Sequence, residues 1–381
     1  MTDKPHLLIF TDWYVPGYKA GGPIQSVFQL TQLLHNQFHI KIVTRNTDYN
    51  STIPYENIES NKWMTVQDGV EVLYLSKEQV TYKRIKEIIK LNKSNRLLIN
   101  GLFSIYFSFL PAFFALLFGV SKCYIAVRGM LHGSALSVKP VKKQLFLAFV
   151  RGLGLYKSKT MLASSDEEVS LIKRVLGPQT NVSLLPNLPI SPPAFKPKAF
   201  KNNEDTLKLL FLGRISPEKN PITLVKALQS ISFPVHVTFC GAFNEKQYAD
   251  LFEKECKLLP NCVQMTHIQH CPHHEIEALF LNHDLLVLPS LGENFGHAIF
   301  ESFAYSTPVI IGNNTPWKGV KSDFAGVEIE PTNVQSLVTE LHFFNQLSQA
   351  EYTEWQQGAH IKATQYFEIN NFKETYTKVF S

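Results

Sequence analysis

Two short stretches gather the side chains that can act on a charged ligand. One runs Pro289-Ser290-Leu291-Gly292-Glu293-Asn294-Phe295-Gly296-His297 and on to Glu301. It leaves an apolar strand pattern and enters a helix pattern, predicted over 295–305, and ligands of open α/β sheets bind at that edge. Glu293 in the turn and Glu301 inside the helix, eight residues apart, can face the same ligand. Backbone N–H groups of residues 294–296 would lie at the helix N-terminus, where an anion is favoured. A single Glu at a helix start is ordinarily a cap, and the second stretch changes that reading. There, Phe211-Leu212-Gly213-Arg214-Ile215-Ser216-Pro217-Glu218-Lys219 puts Arg214 and Lys219 just past another strand, five residues apart. Arg offers a fixed fork of donors and Lys a point charge, a pair suited to a diphosphate.

These stretches need elements to hold them. Residues 7–11, 40–44, 70–75, 97–100 and 123–127 read as short apolar strands, with helices over 24–36, 80–91 and 106–118 between them. The first helix is opened by Gly21-Gly22-Pro23 and carries Val27, Leu30, Leu33 and Leu34 at helical spacing. Such alternation predicts a parallel sheet covered on both faces. Prolines at 186, 189, 192, 193 and 197, then a polar run over 201–206, mark a linker. Beyond it the pattern restarts, with strands over 207–212, 235–240, 285–289 and 308–311 and helices over 221–228 and 295–305. The C-terminus reads as helical over 350–380, with a break near Asn370-Asn371. The expected fold is α/β, two Rossmann-like domains whose parallel sheets face each other across a cleft. Residues 1–195 would form the first domain and 196–365 the second, with a last helix at about 366–381 returning to the first.

Composition narrows the function. Of 381 residues, 45% are hydrophobic and 18% charged, which excludes a disordered chain. The five Cys (123, 240, 256, 262 and 271) include no Cys-x-x-Cys pair, against a disulfide framework or zinc ribbon and for a reducing compartment. Only four apolar residues, 7–10, follow the polar start, too few for a secretory signal, so a cytoplasmic location is expected. The net charge of +5 hides an asymmetry: residues 1–200 carry 24 Lys/Arg and 12 Asp/Glu, and residues 201–381 carry 13 and 20. No acidic residue lies between Glu87 and Asp166, a stretch holding 11 Lys/Arg. Such a half is expected on an anionic membrane surface or lipid diphosphate; nucleic acid is set aside for want of a recognition motif. Residues 97–121 hold no charge and are long enough to cross a bilayer, but Asn100-Gly101 and Pro111 interrupt them. A buried or partly membrane-facing helix is expected there, beside the basic run Lys139, Lys142, Lys143, Arg151, Lys157 and Lys159.

The order of Gly-Gly loop, Gly213-Arg214-x4-Lys219 and Glu293-x7-Glu301 resembles the family 4 retaining glycosyltransferases of the GT-B fold, bacterial surface-polysaccharide type. The likeness spans roughly residues 7–370. Asn313-Asn314-Thr315-Pro316-Trp317 is similar to the donor-side loop of surface-polysaccharide members, and Arg128-Gly129-Met130-Leu131 and Pro186-Asn187 to the family's interdomain landmarks. The resemblance implies retaining hexosyl transfer from a UDP- or GDP-sugar to a glycan or lipid-linked acceptor in polysaccharide or O-antigen biosynthesis. The place implied is the inner face of the cytoplasmic membrane, with the enzyme peripheral.

By the same resemblance Arg214 and Lys219 would hold the diphosphate and stabilise its charge as it leaves. Glu293 would meet the donor sugar beside the Asn294, Phe295 and Gly296 amides, and Glu301 the ribose hydroxyls. Gly21 and Gly22 would let their loop approach the phosphate or acceptor closely. The implied chemistry is same-face displacement assisted by the leaving phosphate, without a covalent Glu293 intermediate. Relatives commonly carry a His where Arg128 stands, and His132 lies four residues further on; both are candidate acceptor contacts. The chain contains no Asp-x-Asp, so transfer without a metal is expected.

Three other readings compete. His267, His270, Cys271, His273 and His274 invite a zinc assignment, but the segment fits a strand end, a turn at Pro272 and a helix start, with nucleotide base or donor contacts as the alternative. Gly152-Leu153-Gly154 follows no strand and lacks the third glycine of a dinucleotide fingerprint. A nucleotide-sugar epimerase on the same two-domain fold is the alternative function.

Overall fold

A computed structural model describes residues 4–93, 95–132, 136, 140–201, 206–243 and 245–381, with the backbone alone at 274. Lys139 of the basic run and the His274 side chain lie outside what is described. The chain divides into two compact units, Met1–Leu188 with Asn370–Ser381, and Pro189–Ile369.

In the first unit, strands β1 His6–Thr11, β2 His39–Arg45, β3 Trp63–Gln67, β4 Val70–Leu75, β5 Arg96–Asn100, β6 Cys123–Ala126, β7 Thr160–Ala163 and β8 Val182–Leu184 form one sheet. Their order is β3-β4-β2-β1-β5-β6-β7-β8. The central β1, apolar from Leu7 to Phe10 and buried throughout that run, pairs in parallel with β2 and β5, as a strand covered on both faces must. The expected all-parallel sheet fails at one edge, where β3 runs antiparallel to β4. Only Asp68 and Gly69 separate the two strands, too few for a parallel crossover, and Gly69 takes the positive φ of a tight reversal. Its half-exposed, weakly apolar face is why β3 carried no strand signal.

Helices α1 Gly22–Leu34, α2 Tyr82–Leu91, α3 Leu110–Leu117, α4 Pro140–Gly152 and α5 Asp166–Leu176 cover this sheet. Ile105–Phe109, immediately before α3, is a π turn. Pro111 lacks an N–H and its ring would crowd the carbonyl one turn back, so the wider turn relieves the clash. Among the described residues no helix is long and apolar enough to cross a membrane.

The second unit is an all-parallel sheet of β9 Leu207–Leu212, β10 Val235–Cys240, β11 Val263–Ile268, β12 Leu285–Leu288, β13 Val309–Gly312 and β14 Gly326–Ile329. The order is β11-β10-β9-β12-β13-β14. It is packed by α6 Pro221–Leu228, α7 Lys246–Cys256, α8 Ile276–Leu281, α9 His297–Ala304, α10 Val334–Asn345 and α11 Gln349–Ile369. The proline-rich run ends pinned to this unit. Lys198 Nζ, in the interior, donates to the Phe280 carbonyl at 2.6 Å, to Thr307 Oγ1 at 2.8 Å and to the His283 carbonyl. Burial pushes its ammonium down to about 7, and nearby Asp284 opposes the shift only in part.

After α11 the chain breaks at Asn371, with φ 36°, and α12 Phe372–Phe380 buries Phe372, Tyr376 and Phe380 in the first unit. The Tyr376 hydroxyl donates to the Pro186 carbonyl at 2.7 Å.

Candidate functional site

The second unit brings its predicted residues to one sheet edge. Strands β9 and β12 are parallel neighbours, so the loops after their C-terminal ends lie side by side. Gly213 follows β9, and its carbonyl passes so close to Gly241, just past β10, that a Cβ on Gly241 would sit 1.9 Å from it. Only glycine permits that approach. Ile215 N donates to the Ala242 carbonyl at 2.9 Å, which fixes the loop on which Arg214 stands exposed.

Lys219 Nζ lies 2.5 Å from Glu293 Oε1, and Ser290 Oγ donates to the same oxygen at 2.8 Å. The Leu291 amide donates to the Glu218 carbonyl at 2.9 Å, and Asn220 Nδ2 donates to the Pro289 carbonyl at 3.2 Å. The two predicted stretches are thus laced together by main-chain and side-chain bonds, and their charged ends meet as an ion pair. Partial burial raises the Glu218 carboxyl, yet the Ser216 hydroxyl, its own amide and the charges of Arg214 and Lys219 outweigh this and hold it below the ordinary range.

Helix α9 opens at His297 with Gly296 (φ 76°) as N-cap, so the first-turn amides begin one residue past the 294–296 expected. Phe295 is buried against Trp317, whose indole Nε1 donates to the Phe295 carbonyl at 2.5 Å, which ties residues 313–317 to the turn. Glu301 is 5% exposed and stands 3.7 Å from His273 Nε2.

Among the described side chains the His/Cys segment does not converge. His267 Nε2 donates to the Gly241 carbonyl at 2.9 Å, the Cys271 thiol to the Pro272 carbonyl at 3.5 Å, and His273 faces Glu301. Among the described residues no three His, Cys, Asp or Glu side chains gather as metal ligands would.

In the first unit, Gly21 (φ 69°) caps α1, and among the described residues no atom beyond its chain neighbours lies within 4 Å of where its Cβ would point. Backbone conformation requires the glycine there, and the open side leaves Gly21 approachable. Arg128, at the C-terminal end of β6 and also at positive φ, donates through Nε to Asn100 Oδ1 at 3.0 Å and through Nη1 to Asn187 Oδ1 at 2.7 Å. Asn100 Nδ2 continues the chain to Thr11 Oγ1 at 3.2 Å and to the Pro23 carbonyl at 3.4 Å, so Arg128 and the Gly-Gly turn share an intermediary. His132 Nε2 is buried and has no hydrogen-bond partner among the described residues.

Two features of this edge escaped the sequence reading. Glu168 is fully buried and accepts from Gly129 N (2.5 Å), Ser164 N (2.7 Å) and Ser164 Oγ (2.8 Å), which clamps the turn that presents Arg128. Its signal was in view: Ser165-Asp166-Glu167-Glu168 is a capping-box pattern, and Ser165 Oγ does accept from Glu168 N at 3.2 Å. The carboxylate, however, reaches past its own N-cap to another segment. Asp12 Oδ1 accepts from Arg45 Nη2 at 3.1 Å and Ser104 Oγ at 2.9 Å. Burial raises its carboxyl above the usual range, although Arg45 and Ser104 pull it back. These three residues stand 33 and 92 positions apart, and no local pattern announces them.

Residues 194–359 match the family model for group 1 glycosyl transferases. That segment, similar to a glycosyl transferase domain, contains every donor-side candidate from Arg214 to Glu301. A curated relative, the D-inositol 3-phosphate glycosyltransferase of Pseudarthrobacter chlorophenolicus, is 27% identical over 158 residues, 39% of this chain and 37% of its own length. Among solved structures, Alr3699/HepE of Anabaena in complex with UDP and glucose superposes with a TM-score of 0.74 at 14% identity, covering 98% of each chain. WaaG, a glycosyltransferase involved in lipopolysaccharide biosynthesis, gives 0.64 at 14% identity, again over 98% of each chain. These likenesses establish the architecture: two parallel-sheet α/β units of the GT-B fold.

Proposed function

We propose that the protein transfers a sugar from a nucleoside diphosphate donor, UDP- or GDP-linked, to a hydroxyl of a lipid-linked saccharide in surface-polysaccharide assembly. The observation that carries this reading is the meeting of Lys219 and Glu293, beside Arg214, at the shared edge of β9 and β12. A diphosphate would draw Lys219 from Glu293, leaving that carboxylate for the hydroxyls of the donor sugar. Arg214 and Lys219 then stabilise the charge that builds on the phosphate as its bond to the anomeric carbon breaks. The acceptor oxygen bonds to that carbon on the face the phosphate leaves, and its proton passes to the departing phosphate oxygen. Configuration is retained.

Two fixed cations do what paired oxygen ligands do through a divalent ion, and the chain has no Asp-x-Asp, which favours transfer without metal. Glu301, buried at the first turns of α9, suits the ribose hydroxyls. That HepE was solved with UDP favours a uridine donor. The role of WaaG in lipopolysaccharide biosynthesis and the basic first unit favour a lipid-linked acceptor at the inner membrane face. Arg128 and His132 are the acceptor-side candidates.

The test is transfer of labelled sugar from UDP- and GDP-sugars into a lipid extract in the presence of chelator. Label in the organic phase, with the donor's anomeric configuration, is expected. An altered nucleotide sugar formed without acceptor would be the epimerase result and would overturn the proposal; the matched family description does not favour that outcome.

A further inference from the structure

Helix α4 leaves an apolar stripe uncovered in the first unit. Val141, Leu145 and Phe149 are 66%, 67% and 55% exposed, and Leu153, just past the helix end, is 50% exposed. Their four-residue spacing places them on one face of a helix. The opposite face is the packed one: Leu147 and Val150 are buried, and the Phe146 ring lies 5.7 Å from Phe103 and 6.0 Å from Phe109. Phe149 also approaches Phe109, at 6.0 Å, so the stripe borders the π turn, whose Ile105 is 62% exposed.

A stripe of this kind needs a cover, and the charges around it say which. At about 100° per residue, Lys142 and Arg151 fall on either flank of the stripe, and both are exposed. Lys157 is exposed just beyond Leu153. The segment lies between Glu87 and Asp166, a run that contains no carboxylate side chain. A protein partner's interface of ordinary composition would not select for 11 Lys/Arg and no acid over that length. Apolar side chains flanked by long cations are what a helix lying in an anionic headgroup layer presents.

We propose that α4 is the membrane-docking element, lying in the plane of an anionic lipid surface with Leu145 and Phe149 below the headgroups and Lys142 and Arg151 at their level. This rests on the membrane-facing part of the proposed function and adds to it a defined surface and a second binding force. Electrostatic attraction alone is screened by salt; apolar insertion is not.

The full chain is sedimented with vesicles of phosphatidylcholine alone or mixed with phosphatidylglycerol, at low salt and at about 0.5 M. The wild type is expected to pellet with the mixed vesicles, and part of that binding persists at high salt. Leu145→Ser with Phe149→Ser is expected to remove the persistent part and to weaken low-salt binding about tenfold or more. Lys142→Gln with Arg151→Gln should reduce the salt-sensitive part and leave the persistent part. An unchanged melting temperature and an unchanged response to nucleotide sugar show that the variants are folded. If the wild type pellets and the Leu145/Phe149 variant pellets equally at both salts, the stripe is not the docking surface, and the membrane reading survives without it. If the wild type ignores both vesicles, the stripe and the membrane reading fall together, while donor binding by the second unit is measured separately. A wild-type dimer by light scattering that the apolar variant dissolves, with no vesicle binding, would assign the stripe to a second copy and overturn the proposal.

Discussion

In the second unit, two runs of contiguous sequence, one after β9 and one after β12, supply Arg214, Lys219, Glu293 and Glu301. In the first unit, the polar side chains at the sheet edge (Asp12, Arg45, Asn100, Ser104, Arg128 and Asn187) come from separate segments and meet only through the fold. The two units share a parallel α/β architecture and differ in how their chemistry is written. They differ in charge as well. By the structural division, the first carries 24 Lys/Arg against 13 Asp/Glu, the second 13 against 19. The family model matches only residues 194–359, inside the second unit. On the proposed function, the second unit's site would grip a common ligand, a diphosphate, and keep a local and recognisable form, whereas one assembled for a particular acceptor has no reason to.

The comparison breaks most sharply at the cations. Arg214→Ala and Lys219→Ala are expected to lower kcat about 100- to 1,000-fold in the transfer assay, as loss of a charge-stabilising donor does. Substitutions at Arg128 should act mainly on acceptor KM. If Arg128→Ala lowers donor affinity as much as Arg214→Ala does, the division of labour is wrong.

Next in size come two positions where geometry leaves no choice, one in each unit. Glu168→Ala strands the buried amide of Gly129 and the half-buried amide of Ser164 and should cost about 3 kcal/mol in denaturant unfolding. Gly241→Ala forces a methyl onto the Gly213 carbonyl and should cost about 2 kcal/mol. The first variant, where folded, should keep its response to nucleotide; the second should lose it, because the strained loop carries Arg214.

The most gradual effect sharpens the picture of the second unit's anchor. Lys198 titrates near 7 when folded and near 10.5 when unfolded, so between those values the unfolded chain binds the extra proton. Stability from this group therefore rises with pH across that window, by up to about 1.4 kcal/mol per pH unit. Lys198→Met should flatten the rise, measured as the difference between wild-type and variant unfolding free energies from pH 7 to 9.

How much of this the sequence disclosed follows from the same contrast. Central strands such as β1, β2, β9 and β10 are buried on both faces and announce themselves as continuous apolar runs. Edge strands do not: β3 alternates only weakly, and β8 and β14 have three and four residues. The turn after β12 was legible, but the start of α9 was misplaced, because Gly296 adopts the left-handed cap that a run of apolar residues conceals. The Lys219–Glu293 ion pair joins residues 74 positions apart, and its partners were singled out for separate roles before the sheet order made them neighbours. Glu168 had a helix-capping signature, which disclosed its helix and hid its function as a clamp on Arg128's turn.

The central claim is that the edge of β9 and β12 binds a nucleoside diphosphate sugar. It is tested most directly by melting the wild type, Arg214→Ala and Glu301→Ala with a panel of UDP-, GDP-, ADP- and dTDP-sugars. Ligand that binds only the folded state raises the melting temperature by mass action. One nucleotide class should raise it in the wild type, and neither variant should respond. A wild-type shift that both variants reproduce in full would contradict the assignment of this edge as the donor site.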